Sequence, residues 1–130
     1  MEQTVIVGSV GDDEHGRAYS DNLARLQVDT RHLATVAGVS TGIATIFVEA
    51  SSGENMIVIV PGANARLTAA HVTAAEADIA AAGCVVATLE LGLAAVTAAM
   101  QLGRKVILSS DWSTDRDTDL WLASTASPPS

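Results

Sequence analysis

Residues 84–108 read CVVATLELGLAAVTAAMQLGRKVIL, and this stretch decides the fold class. The run at 84–89 (CVVATL) is short, apolar and rich in β-branched residues, as in a strand covered on both faces, and it stops at Glu90. Leu93, Val96, Thr97 and Met100 then recur at helical spacing up to Gly103, a residue suited to end a helix. Residues 105–108 (KVIL) supply one more strand. Strand, helix, strand within so few residues is the pattern of two parallel strands joined by a crossover helix, so an α/β fold is expected.

The same alternation extends toward the N-terminus. Residues 4–10 (TVIVGSV) read as a first buried strand. Gly11, Asp12 and Asp13 supply a turn and an N-cap, and Tyr19, Leu23 and Leu26 place a helix reaching Gln27. A short strand is expected at 32–36, before Gly38 and Ser40 break the pattern. Two apolar runs follow, 43–48 (IATIFV) and 56–60 (MIVIV), joined by the polar segment EASSGEN, which is a β-hairpin pattern. A solvated hairpin would alternate polar and apolar residues, whereas these strands carry apolar side chains on both faces. An isolated pair of strands is marginal in water, so each face calls for a cover. Pro61-Gly62-Ala63-Asn64 ends the hairpin, and Asn64 is expected to take a left-handed turn conformation beside Arg66. Thr68 then caps an alanine-rich helix through about Ala81, with Val72, Ala75, Ile79 and Ala80 on one side.

The chain has 130 residues, which suits one core, and 48% of them are hydrophobic, too many for a disordered acidic segment. Seven Lys and Arg against fifteen Asp and Glu give a formal net charge of −8, and no basic run is present. The electrostatic term on which nucleic-acid and anionic-membrane binders rely is missing, so no nucleic acid and no membrane is expected as a partner. The lone Cys84 can form no internal disulfide, and Glu2 and Gln3 stand where a signal peptide would begin its basic and apolar regions. A reducing, cytoplasmic setting is the expectation. No apolar stretch approaches the roughly 18 to 20 residues of a membrane span.

Glu90 is the strongest candidate site residue. It ends a buried strand at the carboxyl edge where open α/β sheets bind ligands, and its carboxylate could accept hydrogen bonds from sugar hydroxyls. The competing account is that it favours the positive end of the following helix. Gly8, Gly11 and Gly16 superficially suggest a phosphate loop, but no Lys-Ser/Thr pair follows them and Asp12 and Asp13 would repel phosphate. His15, His32 and His71 are too scattered for a local metal motif and read as surface residues, and Cys84 reads as part of a buried strand and so as no nucleophile. From Ser109 onward the chain becomes SSDWSTDRDTDLWLASTASPPS, with four aspartates and two tryptophans, and reads as a loose, divergent tail over 109–130.

The order SVGDDEHG, NLARLQVDT, TGIATIFVEASSGENMIVIVPGANARLT and then TLE resembles the ribokinase-like sugar kinases, a family that also holds fructokinases and adenosine kinase. The resemblance covers roughly residues 4–108. It implies that residues 1–108 form part of the family's parallel sheet with crossover helices, and that the hairpin at 41–60 is a lid. One lid face, carrying Ala44 and Ile46, would close over the sugar, and the other would clasp a second subunit in a homodimer. Glu90 would bind a ribose hydroxyl. The activity implied is ATP-dependent phosphorylation of the 5-hydroxyl of D-ribose, with magnesium on the phosphates and a monovalent cation, potassium, supporting the anion hole. Several family motifs are missing from these residues: the Gly-Gly-Lys-Gly-Ala-Asn motif, the Asn-Pro motif, the Asn-x-x-Glu segment and the Gly-Ala-Gly-Asp loop that carries the catalytic base. The expectation is therefore a fragment, truncated at both ends, with no catalytic residue and no ATP or metal site of its own, inactive alone. Two alternatives stand beside it: a non-catalytic module that pairs with an intact relative through the clasp face, and a kinase of the same family acting on another sugar or a nucleoside.

Overall fold

The computed structural model describes residues 4–109. The tail expected at 109–130 lies, apart from Ser109, outside the described residues. The elements run β1 (Val5–Gly11), α1 (Glu14–Arg25), β2 (Asp29–Val36), β3 (Ile43–Val48), β4 (Asn55–Val60), a 3-10 helix (Gly62–Arg66), α2 (Ala69–Ala74), α3 (Glu76–Ala81), β5 (Val85–Thr88), α4 (Leu93–Leu102) and β6 (Val106–Ser109). The chain divides into two compact units, Met1–Leu67 and Thr68–Ser130, where a single core was expected from its length. Each unit builds its own short parallel pair, β1 with β2 in the first and β5 with β6 in the second.

In the first unit β1 and β2 pair in parallel, with Val7 opposite His32 and Gly11 opposite Val36, and α1 forms the crossover between them. Asp13 caps α1, accepting from the backbone N–H of Gly16 at 2.8 Å, as its position before the helix predicted. The helix stops at Arg25, short of the Gln27 expected. Gln27 itself takes φ +58, and its N–H donates to Ala24 O while that of Val28 donates to Leu23 O. These two bonds form a Schellman closure, normally completed by glycine. The second strand begins at Asp29, three residues before the expected start, because β1 reaches back to Val5 and pairs there.

The hairpin is antiparallel and in register from Ile43 opposite Val60 to Val48 opposite Asn55. Its turn is closed by Glu49 N–H to Glu54 O at 2.8 Å and Gly53 N–H to Glu49 O at 2.9 Å, with Gly53 at φ +75. Every residue of both strands is exposed. The chain then enters the 3-10 helix at Gly62, which holds φ +51; a Cβ there would lie 2.3 Å from Ser40 O. The left-handed residue after Pro61 is thus Gly62 and not Asn64, which lies within the 3-10 helix, so the turn expected at Asn64 is corrected. Val10, Leu23, Ala63 and Leu67 are the buried apolar side chains of the described residues of this unit, and Ser9 is its buried polar one.

In the second unit β5 and β6 pair in parallel, Val85 opposite Val106 and Val86 opposite Ile107, with α4 as crossover. The helix expected from Thr68 to Ala81 is broken at Ala75, where φ is −99 and ψ 10 and the N–H bonds to Val72 O in 3-10 fashion. Thr73 Oγ1 donates to Ala69 O at 3.0 Å, a back-bond of the kind that bends helices and that no Gly or Pro announces. At the start of α2, the N–H of Thr68 donates to Nδ1 of His71 at 3.2 Å, so this histidine belongs to a cap. Val72, Ala75, Ile79, Ala87, Ala95, Val96 and Ala99 are buried. Cys84 precedes β5 and is exposed, which corrects the expectation that it is buried in a strand; Gly83 and Cys84 form the link out of α3. His32 is half-buried on β2, so of the three histidines read as surface residues only His15 and His71 are exposed.

Candidate functional site

The hairpin follows from its sequence in the simplest way. Two β-branched runs separated by a Ser-Ser-Gly turn pair antiparallel, and the pleat sorts the side chains into two sets. Ala44, Ile46 and Val48 share one face with Ile59, Ile57 and Asn55, their partners across the ladder. Ile43, Thr45 and Phe47 share the other with Val60, Val58 and Met56. The first face leaves Ile46 58% and Val48 64% exposed, and the second leaves Phe47 54% and Met56 62% exposed. At the tip, Phe47, Val48, Glu49, Glu54, Asn55 and Met56 line an open concavity of about 410 Å³. Ala44 and Ile46, the pair expected to face the sugar, lie on one face of the hairpin and are exposed.

The base of the hairpin is polar and tightly bound. Asp13 accepts from Thr41 N–H at 2.8 Å through Oδ2 and from Thr41 Oγ1 at 2.5 Å through Oδ1, the same oxygen that caps α1. The Thr41 hydroxyl in turn accepts from Gly11 N–H at 3.0 Å. The hydroxyl and then the backbone N–H of Thr41, followed by the N–H of Gly16, hold the Asp13 carboxyl down at about 2, well below the ordinary carboxylate value. Asp12 Oδ1 accepts from Gly38 N–H at 3.2 Å. Two of the three glycines that superficially suggest a phosphate loop serve close packing, since a Cβ on Gly16 would sit 2.2 Å from Gly11 O and one on Gly11 2.2 Å from Val39 O, whereas a Cβ on Gly8 would make only ordinary contact, 3.6 Å from Leu33 Cδ1. Beside them Gly11, Asp12, Arg17, Ser20, Asp21 and Thr35 are among the residues around a second open concavity of about 310 Å³.

Glu90 is exposed in the turn that follows β5, two residues before Gly92, the N-cap of α4. The N-cap of α4 is Gly92, which makes no side-chain bond, and the first turn of the helix holds no acidic residue. Glu90 belongs to the second unit, whereas Ala44 and Ile46 belong to the first. Sequence reading found Asp13 as a helix cap but missed its grip on Thr41. Only the cap was legible, since its spacing to Gly16 is local and Thr41 is 28 residues away. Among the described residues, no group of three or more His, Cys, Asp or Glu is placed to hold a metal ion, and no helix is long and apolar enough to cross a membrane.

Two parallel pairs with crossover helices and an apolar hairpin define an α/β fold of the sugar-kinase type. The chain belongs to the pfkB family of carbohydrate kinases, whose model matches residues 1–123. It is 36% identical to the ribokinase of Haemophilus influenzae over 103 residues, which are 79% of this chain and 33% of that protein. It is 35% identical to the ribokinase of Schizosaccharomyces pombe over 100 residues, 77% of this chain and 31% of that one. The solved ribokinase of Giardia lamblia superposes with a TM-score of 0.69 at 31% identity, covering 87% of this chain and 36% of that chain. The ribokinase of Arabidopsis thaliana, solved with ribose and ATP, gives a TM-score of 0.60 at 27% identity over 82% of this chain and 36% of that one. The chain spans about a third of the length of the curated relatives it matches.

Proposed function

We propose that these residues form the lid and part of the sugar side of a ribose kinase, an assembly that transfers the terminal phosphoryl group of ATP to the 5-hydroxyl of D-ribose. The observation that carries the reading is the hairpin, two strands of six residues with every side chain exposed. An arm of that kind gains stability only when something covers it. A pentose offers a weakly polar face of C–H groups with hydroxyls at its rim, and the small Ala44 and apolar Ile46 suit the C–H face. For Glu90, an exposed carboxylate in the turn after β5, we propose the role of accepting from a ribose hydroxyl.

Catalysis of phosphoryl transfer is chiefly positioning and electrostatic stabilisation of the transferred group. The lid contributes by excluding water from the sugar, so that the 5-hydroxyl and not solvent meets the phosphoryl group. The proton of that hydroxyl needs a base, and the Gly-Ala-Gly-Asp motif that carries one in this family does not occur among these 130 residues. No step is therefore assigned to a general base of this chain, nor to ATP, magnesium or potassium, which enter only through the family. A purified polypeptide of these 130 residues is expected to form no ribose 5-phosphate unaided.

The opposite hairpin face supports a second element of the reading, a homodimer in which Ile43, Phe47 and Val58 meet their copies. If the chain met an intact relative in the same way, it would act as a non-catalytic partner. Another sugar or a nucleoside as substrate is the remaining alternative, and it would leave the lid's role unchanged.

The deciding experiment transplants residues 4–108 into the matching segment of the Haemophilus influenzae ribokinase and measures ADP formation with ribose, fructose and adenosine. Ribose-dependent turnover supports the assignment; turnover with fructose or adenosine alone moves it to the alternative substrate. Within an active chimera, Glu90→Ala should weaken ribose binding by about 1.5–3 kcal/mol, the value of a lost hydrogen bond to a charged group, and leave the KM for ATP in place. Equal ribose affinity would remove Glu90 from the site.

A further inference from the structure

Beyond Gly42 the hairpin has only exposed side chains, so its direction must be set at its two roots. The outgoing root is Thr41. Its N–H and its hydroxyl both donate to Asp13, through Oδ2 at 2.8 Å and Oδ1 at 2.5 Å, and its hydroxyl oxygen accepts from Gly11 N–H at 3.0 Å. The returning root is Ala63, whose N–H donates to Ser40 O at 2.8 Å. Between the roots stands Gly42, where a Cβ would lie 2.6 Å from Pro61 O and 2.8 Å from Asn64 Nδ2. The two legs thus touch backbone to backbone at a glycine, immediately beyond the fixed residue.

We propose that Asp13 is a positioning residue for the lid: its carboxylate pins Thr41 to the N-terminus of α1 and so fixes the direction from which the arm swings at Gly42. This rests on the lid reading of the hairpin and adds to it the residue that sets the rest position. A carboxylate suits the task because both of its oxygens accept, one serving Gly16 and the Thr41 hydroxyl, the other the Thr41 N–H. An asparagine caps a helix as well as an aspartate does, but it presents an NH₂ where one of these acceptors must be. Asp13→Asn consequently separates the two duties, keeping the α1 cap and spoiling the grip on Thr41. The low pKa of Asp13 agrees with a group held ionised by these donors.

The test uses the full chain carrying Cys84→Ala, with nitroxide labels at Ser51→Cys in the hairpin turn and Ala24→Cys on α1, and reads their distance distribution by pulsed electron resonance. With Asp13 and Thr41 intact, one narrow distribution is expected. Asp13→Asn and Thr41→Val should each raise the population of displaced hairpin orientations about tenfold or more, the consequence of losing a hydrogen bond to a carboxylate, while Thr41→Ser, which keeps the hydroxyl, restores the narrow one. Far-ultraviolet circular dichroism on the same samples reports whether α1 persists. Unchanged distributions in Thr41→Val and in a folded Asp13→Asn would reduce Asp13 to a helix cap and overturn the proposal, as would a broad distribution in Thr41→Ser equal to that of Thr41→Val. A chimera inactive with every sugar would instead remove the lid reading and leave the hinge measurement standing.

Discussion

Ser9 and Ala63, 54 residues apart in the chain, are joined by a hydrogen bond in which the serine hydroxyl donates to the alanine carbonyl at 2.7 Å. Both are withdrawn from solvent, Ser9 at 5% and Ala63 at 0% exposure. The bond ties the end of β1 to the 3-10 helix that receives the returning leg of the hairpin. Ser9→Ala leaves a buried carbonyl short of a donor, and a buried unpaired polar group costs about 1–3 kcal/mol. A urea titration should show that loss as a lower midpoint with the slope kept. Coincident midpoints would mean that water replaces the hydroxyl.

Gln27 offers a change in the opposite direction. Its φ of +58 closes the end of α1, and the two bonds of that closure are made by backbone alone. A side chain at this position carries the Cβ strain of the left-handed region, which glycine does not. Gln27→Gly should stabilise the first unit by about 0.5–1 kcal/mol, seen as a raised thermal midpoint. A lowered midpoint would place the greater weight on the backbone freedom that glycine adds to the unfolded chain.

The Asp13 carboxyl carries a pH dependence with a definite sign. Its folded value is depressed to about 2 from an ordinary 3.8, so its contribution to stability is complete above about pH 4 and disappears as pH falls toward 2. Asp29 is lowered as well, chiefly by the side chain of Arg31, and it acts in the same direction. The informative quantity is therefore the difference between the parent and Asp13→Asn. That difference should be constant from pH 7 to about pH 4 and shrink below it. A difference independent of pH down to 2 would show that the carboxylate is not what holds Thr41.

The parts of the fold that could be read from the chain are those written in neighbouring residues. The alternation of apolar runs and helical spacing placed both crossover pairs and the hairpin, and the position of Asp13 before Gly16 marked the α1 cap. The breaks that were missed have causes invisible to periodicity. Thr73 bonds back to Ala69 in the turn before the break at Ala75, and Gln27 occupies a left-handed position that composition assigns to glycine. Cys84 was read as the first residue of a strand because it continues an apolar run, yet it falls in the exposed link before β5. For the site, Ala44 and Ile46 share a face because pleating guarantees it at a spacing of two. The grip of Asp13 on Thr41 joins residues 28 apart, and no local pattern encodes such a pair.

The two faces of the hairpin should differ in what they bind. The face with Ile43, Phe47, Met56, Val58 and Val60 leaves each of these large side chains 47–62% exposed, and only Thr45 interrupts it with a hydroxyl. The face with Ile46, Val48, Ile57 and Ile59 is interrupted by Asn55 and by the small Ala44. Burial of one such large side chain contributes about 1.5–3 kcal/mol, so a self-complementary pairing of the first face gathers several such terms from each copy. The chain is expected to sediment as a concentration-dependent dimer. Phe47→Lys, which places an unpaired charge in that contact, should weaken the dimer about tenfold to a hundredfold, since each 1.4 kcal/mol is a factor of ten. Ile46→Lys on the opposite face should leave the sedimentation profile of the parent. Equal weakening by both substitutions would show that association is not confined to one face, and a monomeric parent would mean that the Phe47 face needs a partner other than its own copy.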